Sequence, residues 1–311
     1  MTGCRELTRR WQPGRPVDVA ATLGPLRRGR GDPTFQWASP AGPVWRASRT
    51  PDGPSTVCLV VRADLGEVDA RAWGPGAAWS LDALPDLLGD GDDPTGFVPR
   101  HPVLREVWRR HPGWRVPRTR RVLESLVPAV LEQKVTGREA WRAFRTLVRQ
   151  HGEPAPGPAG STPAGLRLPP DARTWARIPS WDWHRAGVDQ ARSRAAVVAA
   201  GSAGRLERLA DVPPADAAAR LRSLPGIGAW TAAEVGQRAL GDADAVSVGD
   251  YHVPSLVGWV LVGEPVDDDT MLELLEPYRG HRYRAVRMVE LSGLAPPRRG
   301  PRYSGRDYRA M

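Results

Sequence analysis

Cysteine is nearly absent from these 311 residues, with only Cys4 and Cys58 present. Two thiols can neither ligate a four-cysteine iron-sulfur cluster nor build a disulfide framework, so no such cofactor is expected and a reducing compartment is. Lysine is scarcer still: Lys134 stands alone among 44 basic side chains. The six histidines form no H-x-x-x-H pair or other zinc spacing, and no resident metal is expected from them. No apolar run approaches the roughly 18 residues of a membrane span, and the opening MTGCRELTRR has no apolar h-region. A cytoplasmic protein without a membrane partner is the expectation.

Arginine, tryptophan, proline and glycine are abundant instead. The formal charge is +9, with 13 Trp, 32 Pro and 33 Gly. Residues 1–100 are balanced at 12 basic against 12 acidic side chains, whereas the remainder carries 32 against 23. A basic carboxy-terminal two thirds favours a polyanionic partner such as nucleic acid. The bland alternative is compositional, because a GC-rich genome enriches arginine at the expense of lysine. Length sets a prior of about two domains and allows roughly three quarters of the unfolded surface to be buried.

Between residues 34 and 73, the segments TFQWA, VWRAS, TVCLVVRA and EVDARAW are short, β-branched or aromatic, and divided by Pro/Gly breaks. A helical segment follows at 80–88, and the acidic stretch at 89–96 reads as a boundary loop. Residues 1–98 are therefore expected to form a small antiparallel α+β domain. Helical periodicity dominates afterwards, beginning with Val122, Leu123, Leu126, Val127, Val130 and Leu131, although Pro128 is expected to kink or reframe that helix. Ala140, Phe144, Leu147 and Val148 mark a face of the next, and further helices fit 189–200, 213–222, 229–240, 250–262, 269–277 and 280–292. Residues 152–170 hold six Pro and four Gly and read as a loop. A helical domain over 99–293 and a basic, disordered tail over 294–311 complete the expected organisation.

Two segments carry candidate chemistry. In Leu224-Pro225-Gly226-Ile227-Gly228, a glycine hairpin joins two helical patterns, and such a hairpin exposes backbone N–H groups at a helix start, a seat for an anion. Half a dinucleotide fingerprint is a poorer reading, since Thr231 replaces the third glycine and a helix precedes the turn. Farther on, Asp250 follows a short apolar stretch and precedes a helix, 20 residues after Trp230. Alone, an aspartate at a helix start is an N-cap.

Together, in this order and spacing, the two segments resemble the helix-hairpin-helix-GPD superfamily of DNA glycosylases, and most closely the 3-methyladenine DNA glycosylase II branch. Trp230-Thr231-Ala232, Asp250-Tyr251 and Pro277-Tyr278-Arg279 add to the likeness, which covers residues 10–293. The resemblance implies a TATA-binding-protein-like antiparallel domain followed by an all-α glycosylase core. It also implies a monomer acting on double-stranded DNA with damaged bases, and hydrolysis of the N-glycosidic bond of alkylated purines. Asp250 would be the catalytic anion. Trp230 and Tyr251 would form the base pocket, with Trp181 and Trp183 as further candidates. Leu224, Gly226, Ile227 and Gly228 would hold the DNA backbone. Gln133 and Lys134 match the place of the wedge that fills the gap left by a flipped base, although Lys134 is not apolar and suits a solvated helix end equally well.

Trp230 also bears on the reaction type. Relatives that cleave the abasic strand have a lysine there, because an imine with the sugar requires an amine. A monofunctional glycosylase is expected. A monovalent cation at the hairpin is consistent with the resemblance. Where close relatives place an aromatic pair in the last helix, this chain has Arg287-Met288, a cation that would oppose a cationic base. The acidic triplet Asp267-Asp268-Asp269 reads as a helix start. Two other functions fit the motifs less fully: a non-catalytic helix-hairpin-helix DNA-binding protein, for which Asp250 would have no use, and an oxidised-purine glycosylase/lyase, which requires the missing lysine.

Overall fold

The computed structural model describes residues 5–297 apart from 38, 40, 41, 159 and 161. Five antiparallel strands form one sheet in the order β1-β5-β4-β3-β2: β1 (Glu6–Trp11), β2 (Phe35–Trp37), β3 (Val44–Thr50), β4 (Gly53–Arg62) and β5 (Glu67–Trp73). The four segments expected as strands are β2 to β5, a meander of sequential neighbours. β1 was not anticipated. It is an edge strand of sequence ELTRRW, held by its backbone register with β5, from Glu6 opposite Trp73 to Trp11 opposite Val68. An edge strand needs apolar side chains only on its inner face, which leaves a weak signal.

One face of the sheet buries Phe35, Val44, Leu59 and Val68 against Leu23, Leu81 and Leu84. The other carries a stacked Trp45–Trp73 pair with ring centroids 5.4 Å apart. The helix expected at 80–88 is two short ones, Ala77–Asp82 and Leu84–Leu87, with Pro85 in the first turn of the second, where its missing N–H costs nothing. Cys58 is buried in β4, and burial pushes its thiol up; Cys4 lies outside the described residues.

Inside 152–170, expected as a loop, Glu153–Pro154 pairs antiparallel with Arg167–Leu168. The rest is mainly helical, its principal helices being α1 (Pro102–Arg110), α2 (Val122–Glu132), α3 (Gly137–His151), α4 (Gln190–Gly201), α5 (Pro214–Arg222), α6 (Ala229–Val235), α7 (Val253–Val262), α8 (Asp268–Leu275) and α9 (Arg282–Leu291). The architecture is thus an antiparallel sheet domain with helices followed by a helical core. α2 runs through Pro128 as one helix, so the chain is not reframed there; its residues from Leu126 to Leu131 are all buried, and that packing offsets the lost backbone bond. α3 opens on a reciprocal capping box between Thr136 and Glu139, and buries the predicted face of Ala140, Phe144, Leu147 and Val148. α6 passes at Gly236 into a wider helical turn, Gly236–Leu240. Most of the tail, residues 298–311, lies outside the described residues. Among the described residues no helix is long and apolar enough to cross a membrane.

A separate core unites α1, α7, α8 and α9 with Phe97 and Trp114. At its centre Arg284 is fully buried. Its guanidinium forks onto both oxygens of Asp92 at 3.0 and 2.7 Å, while the rings of Phe97, Trp108 and Trp114 surround it at 5.5–5.9 Å. The acidic loop at 89–96 is therefore anchored to the last helix by a buried charge pair, which composition did not reveal.

Candidate functional site

The hairpin joins α5 to α6. Leu224 accepts from Ile227 N–H at 3.1 Å to close the turn, and Ile227 is buried beneath it. Gly226 must be glycine for two reasons: its φ is +82°, and a Cβ there would lie 2.9 Å from the Cβ of Ala195 in α4. Gly228 is different. Its backbone is extended at φ −94°, nothing lies within 4 Å of a Cβ placed on it, and it caps α6 with no side chain in the way. The first N–H groups of α6 have no intrahelical acceptor, and at Gly228 they are approachable.

Gln133, at the end of α2, is tied to this turn. Its Nε2 donates to the Gly226 carbonyl at 2.9 Å and to Thr231 Oγ1 at 2.8 Å. The side chain is a strut between α2 and the hairpin, with both amide hydrogens spent inside the protein. Lys134 next to it is exposed and has a φ of +55°, a left-handed conformation that costs a lysine energy. The strut thus fixes the chain where an exposed, strained residue begins.

Asp250 sits at the start of α7. One oxygen, Oδ1, accepts from the N–H groups of His252 and Val253 at 2.7 and 3.0 Å. The other, Oδ2, accepts from Trp230 Nε1 at 2.9 Å. The helix's capping position is His252, so Asp250 stands two residues before the expected N-cap: one of its oxygens holds the turn into α7, whereas α6 reaches across to aim the second. Among the described residues no arginine, lysine or histidine forms an ion pair with Asp250, so three neutral donors hold an uncompensated anion. Gly249, with φ +87°, donates its N–H to Asp268 at 2.9 Å, while Asp267 caps α8 at Thr270. The acidic triplet is the helix start expected, and one member also braces the loop before Asp250.

No family model matches the chain. It is 31% identical over 205 residues to a probable bifunctional transcriptional activator/DNA repair enzyme AlkA of Mycobacterium tuberculosis, covering 65% of this chain and 39% of that protein. The chain thus spans about two fifths of the length of the curated relatives it matches. Among solved structures, a 3-methyladenine DNA-glycosylase from Archaeoglobus fulgidus superposes with a TM-score of 0.73 at 19% identity, over 92% of this chain and 98% of that one. An 8-oxoguanine glycosylase/lyase from Clostridium acetobutylicum gives 0.69 at 10% identity, over 93% and 98%.

The chain has the fold of these DNA glycosylases. Within that fold the aromatic candidates separate. Trp230 is half-buried and engaged with Asp250, while Tyr251 is 89% exposed, its ring meeting His252 edge-on at 4.9 Å. Trp183 is a core residue stacked on Trp175 at 5.8 Å, which removes it as a pocket candidate; Trp181 is exposed on the short helix Ser180–Ala186. Tyr278 is a structural pin, its hydroxyl 2.6 Å from His101 Nδ1. Met288 is core, and Arg287 is neutralised by Glu290 one turn on, so the repulsion expected from Arg287 is largely cancelled.

Two cavities differ in their relation to these residues. The larger, about 360 Å³ between β3 and α2, is lined by none of the candidate residues named from the sequence. The smaller, about 150 Å³, is lined by Ser247 and by Val253, whose N–H holds Asp250, together with Glu234 and Tyr283. Neither Trp230 nor Tyr251 lines it. Glu234 and Tyr283 were not anticipated. The available signal was a lone carboxylate in the apolar helix TAAEV, four residues after Trp230 and so on the same face.

Proposed function

We propose that this chain is a monofunctional DNA glycosylase that hydrolyses the N-glycosidic bond of a damaged purine flipped out of double-stranded DNA. The observation that carries the reading is the Asp250 carboxylate, aimed by Trp230 across 20 residues and left without a counter-charge. As the bond to the base breaks, its electron pair leaves with the base and positive charge develops on the sugar. An anion fixed beforehand stabilises that charge without reorganising. Water then adds to C1′, its proton passing to Asp250 or to solvent, so that base and abasic site are the products. In this reading Gly226 and Gly228 let the hairpin receive a backbone phosphate, Leu224 and Ile227 brace it, and Lys134 enters the gap left by the base.

N-alkylated purines are the substrate class that the likeness to the Archaeoglobus 3-methyladenine DNA-glycosylase favours. The sheet, within residues 1–98, corresponds to a TATA-binding-protein-like domain, residues 99–293 to the glycosylase core and residues 294–311 to a basic tail. The protein would act as a cytoplasmic monomer. The Leu224 and Gly226 carbonyls each spend one lone pair within the protein, which leaves a second for a monovalent cation; no step above depends on one.

Incubation with randomly methylated and with oxidised duplex DNA, followed by identification of the released bases, tests this directly. Free damaged purines and intact abasic strands are expected. A borohydride-trapped protein–DNA adduct in high yield would instead indicate imine chemistry and point to Lys134, since Trp230 has no amine.

A further inference from the structure

The smaller cavity, which shares Val253 with the Asp250 turn, is lined for hydrogen bonding rather than for stacking. Tyr283, from α9, is its single aromatic side chain. That residue is 4% exposed and lines the cavity, and among the described residues its hydroxyl has no hydrogen-bond partner, which leaves it free to donate to a ligand. Across from it in the lining stands Glu234, whose Oε1 accepts from Ser247 Oγ and whose Oε2 meets Arg238, each at 2.7 Å. Every carboxylate oxygen has a second lone pair. Arg287 Nε is buried without an acceptor. The lining charges cancel in pairs, Glu234 with Arg238 and Glu290 with Arg287, so net charge gives this cavity little reason to prefer a cation. What it offers is acceptors on α6 and unspent donors on α9. A space of this size admits a six-membered aromatic ring.

A guanine presents a matching edge on its six-membered ring: two neighbouring donors, N1–H and the amino group, beside the acceptor O6. On the glycosylase reading above, we propose that Glu234 and Tyr283 are specificity residues that read the Watson–Crick edge of a flipped guanine-type base. The Glu234 carboxylate accepts from N1–H and the amino group, and the Tyr283 hydroxyl donates to O6. Burial pushes that hydroxyl up to about 12, so it remains a donor at physiological pH. Burial also raises Glu234, and the adjoining Arg238 guanidinium opposes the rise. Lesions placed on the imidazole side of guanine leave this edge intact, whereas adenine lesions present one amino group and no O6.

The test compares excision of 7-methylguanine and of 3-methyladenine from duplex DNA by the full chain and by its Tyr283→Phe, Glu234→Gln and Asp250→Asn variants. Both lesions are labile cations, so they differ chiefly in the edge they present. Tyr283→Phe removes a hydroxyl that no group in the folded chain uses, and its unfolding transition should match wild type. It is expected to lower kcat/KM for 7-methylguanine at least tenfold and for 3-methyladenine less than threefold, and Glu234→Gln should show the same ranking. Equal losses on both lesions, no loss on either, or release of 3-methyladenine alone by wild type would overturn the edge reading, while inactivation by Asp250→Asn would leave the glycosylase reading standing. A wild-type protein that releases neither base would overturn both.

Discussion

Asp92 and Asp250 each accept three or more hydrogen bonds, and they serve opposite ends. Asp92 lies inside the carboxy-terminal core and receives the Arg284 fork together with the Val116 N–H at 2.9 Å. Its charge is cancelled where water cannot reach it. Asp250 receives a tryptophan N–H and two backbone N–H groups, all of them neutral. Neutral donors orient a carboxylate and leave its charge available to a partner outside the protein; a guanidinium orients it and consumes the charge. The first arrangement suits catalysis at a developing cation, and the second holds a loop to a helix.

The comparison breaks most visibly at Asp250. Asp250→Asn keeps a side-chain oxygen for the turn into α7 and removes the anion, so base release should fall by about two orders of magnitude or more, with unfolding within about 1 kcal/mol of wild type. Single-turnover excision and a denaturant titration check the two halves; near-normal turnover would remove Asp250 from the chemistry. Arg284→Met should do the reverse. It leaves Asp92 buried and unpaired and should cost about 3–5 kcal/mol of stability in a denaturant titration, while excision per folded molecule stays within about twofold. A smaller effect sharpens the assignment of Trp230. Trp230→Phe retains a flat ring and deletes the donor to Asp250 Oδ2, a bond to a charged group worth about 1.5–3 kcal/mol, so kcat/KM should drop by roughly 10- to 100-fold. A role in stacking alone would leave the rate unchanged.

Much of the architecture was legible because it is written in local periodicity. β2 to β5 and the helical faces of α2 and α3 repeat at the intervals that burial demands, and their expected segments coincide with the observed elements. β1 was hidden by its edge position, and at Pro128 propensity counts a lost backbone bond without counting the packing that carries the helix through it. Trp183 illustrates the same limit at the site, since a tryptophan that stacks on Trp175 and one free to stack on a base read identically in a string.

The sequence by itself determined the hairpin, the aspartate that follows it and the missing lysine, because the glycine geometry and the interval between two consecutive helices are short-range properties. Tertiary structure alone decided what surrounds them. Gln133 reaches Gly226 across 93 positions, Trp230 turns its N–H rather than a free ring toward Asp250, and Tyr283 comes to share a cavity with Glu234 from 49 residues away. These contacts depend on how the hydrophobic cores pack against one another. That packing is settled by apolar area and shape summed over the whole chain, and no local pattern records which polar groups it will bring face to face.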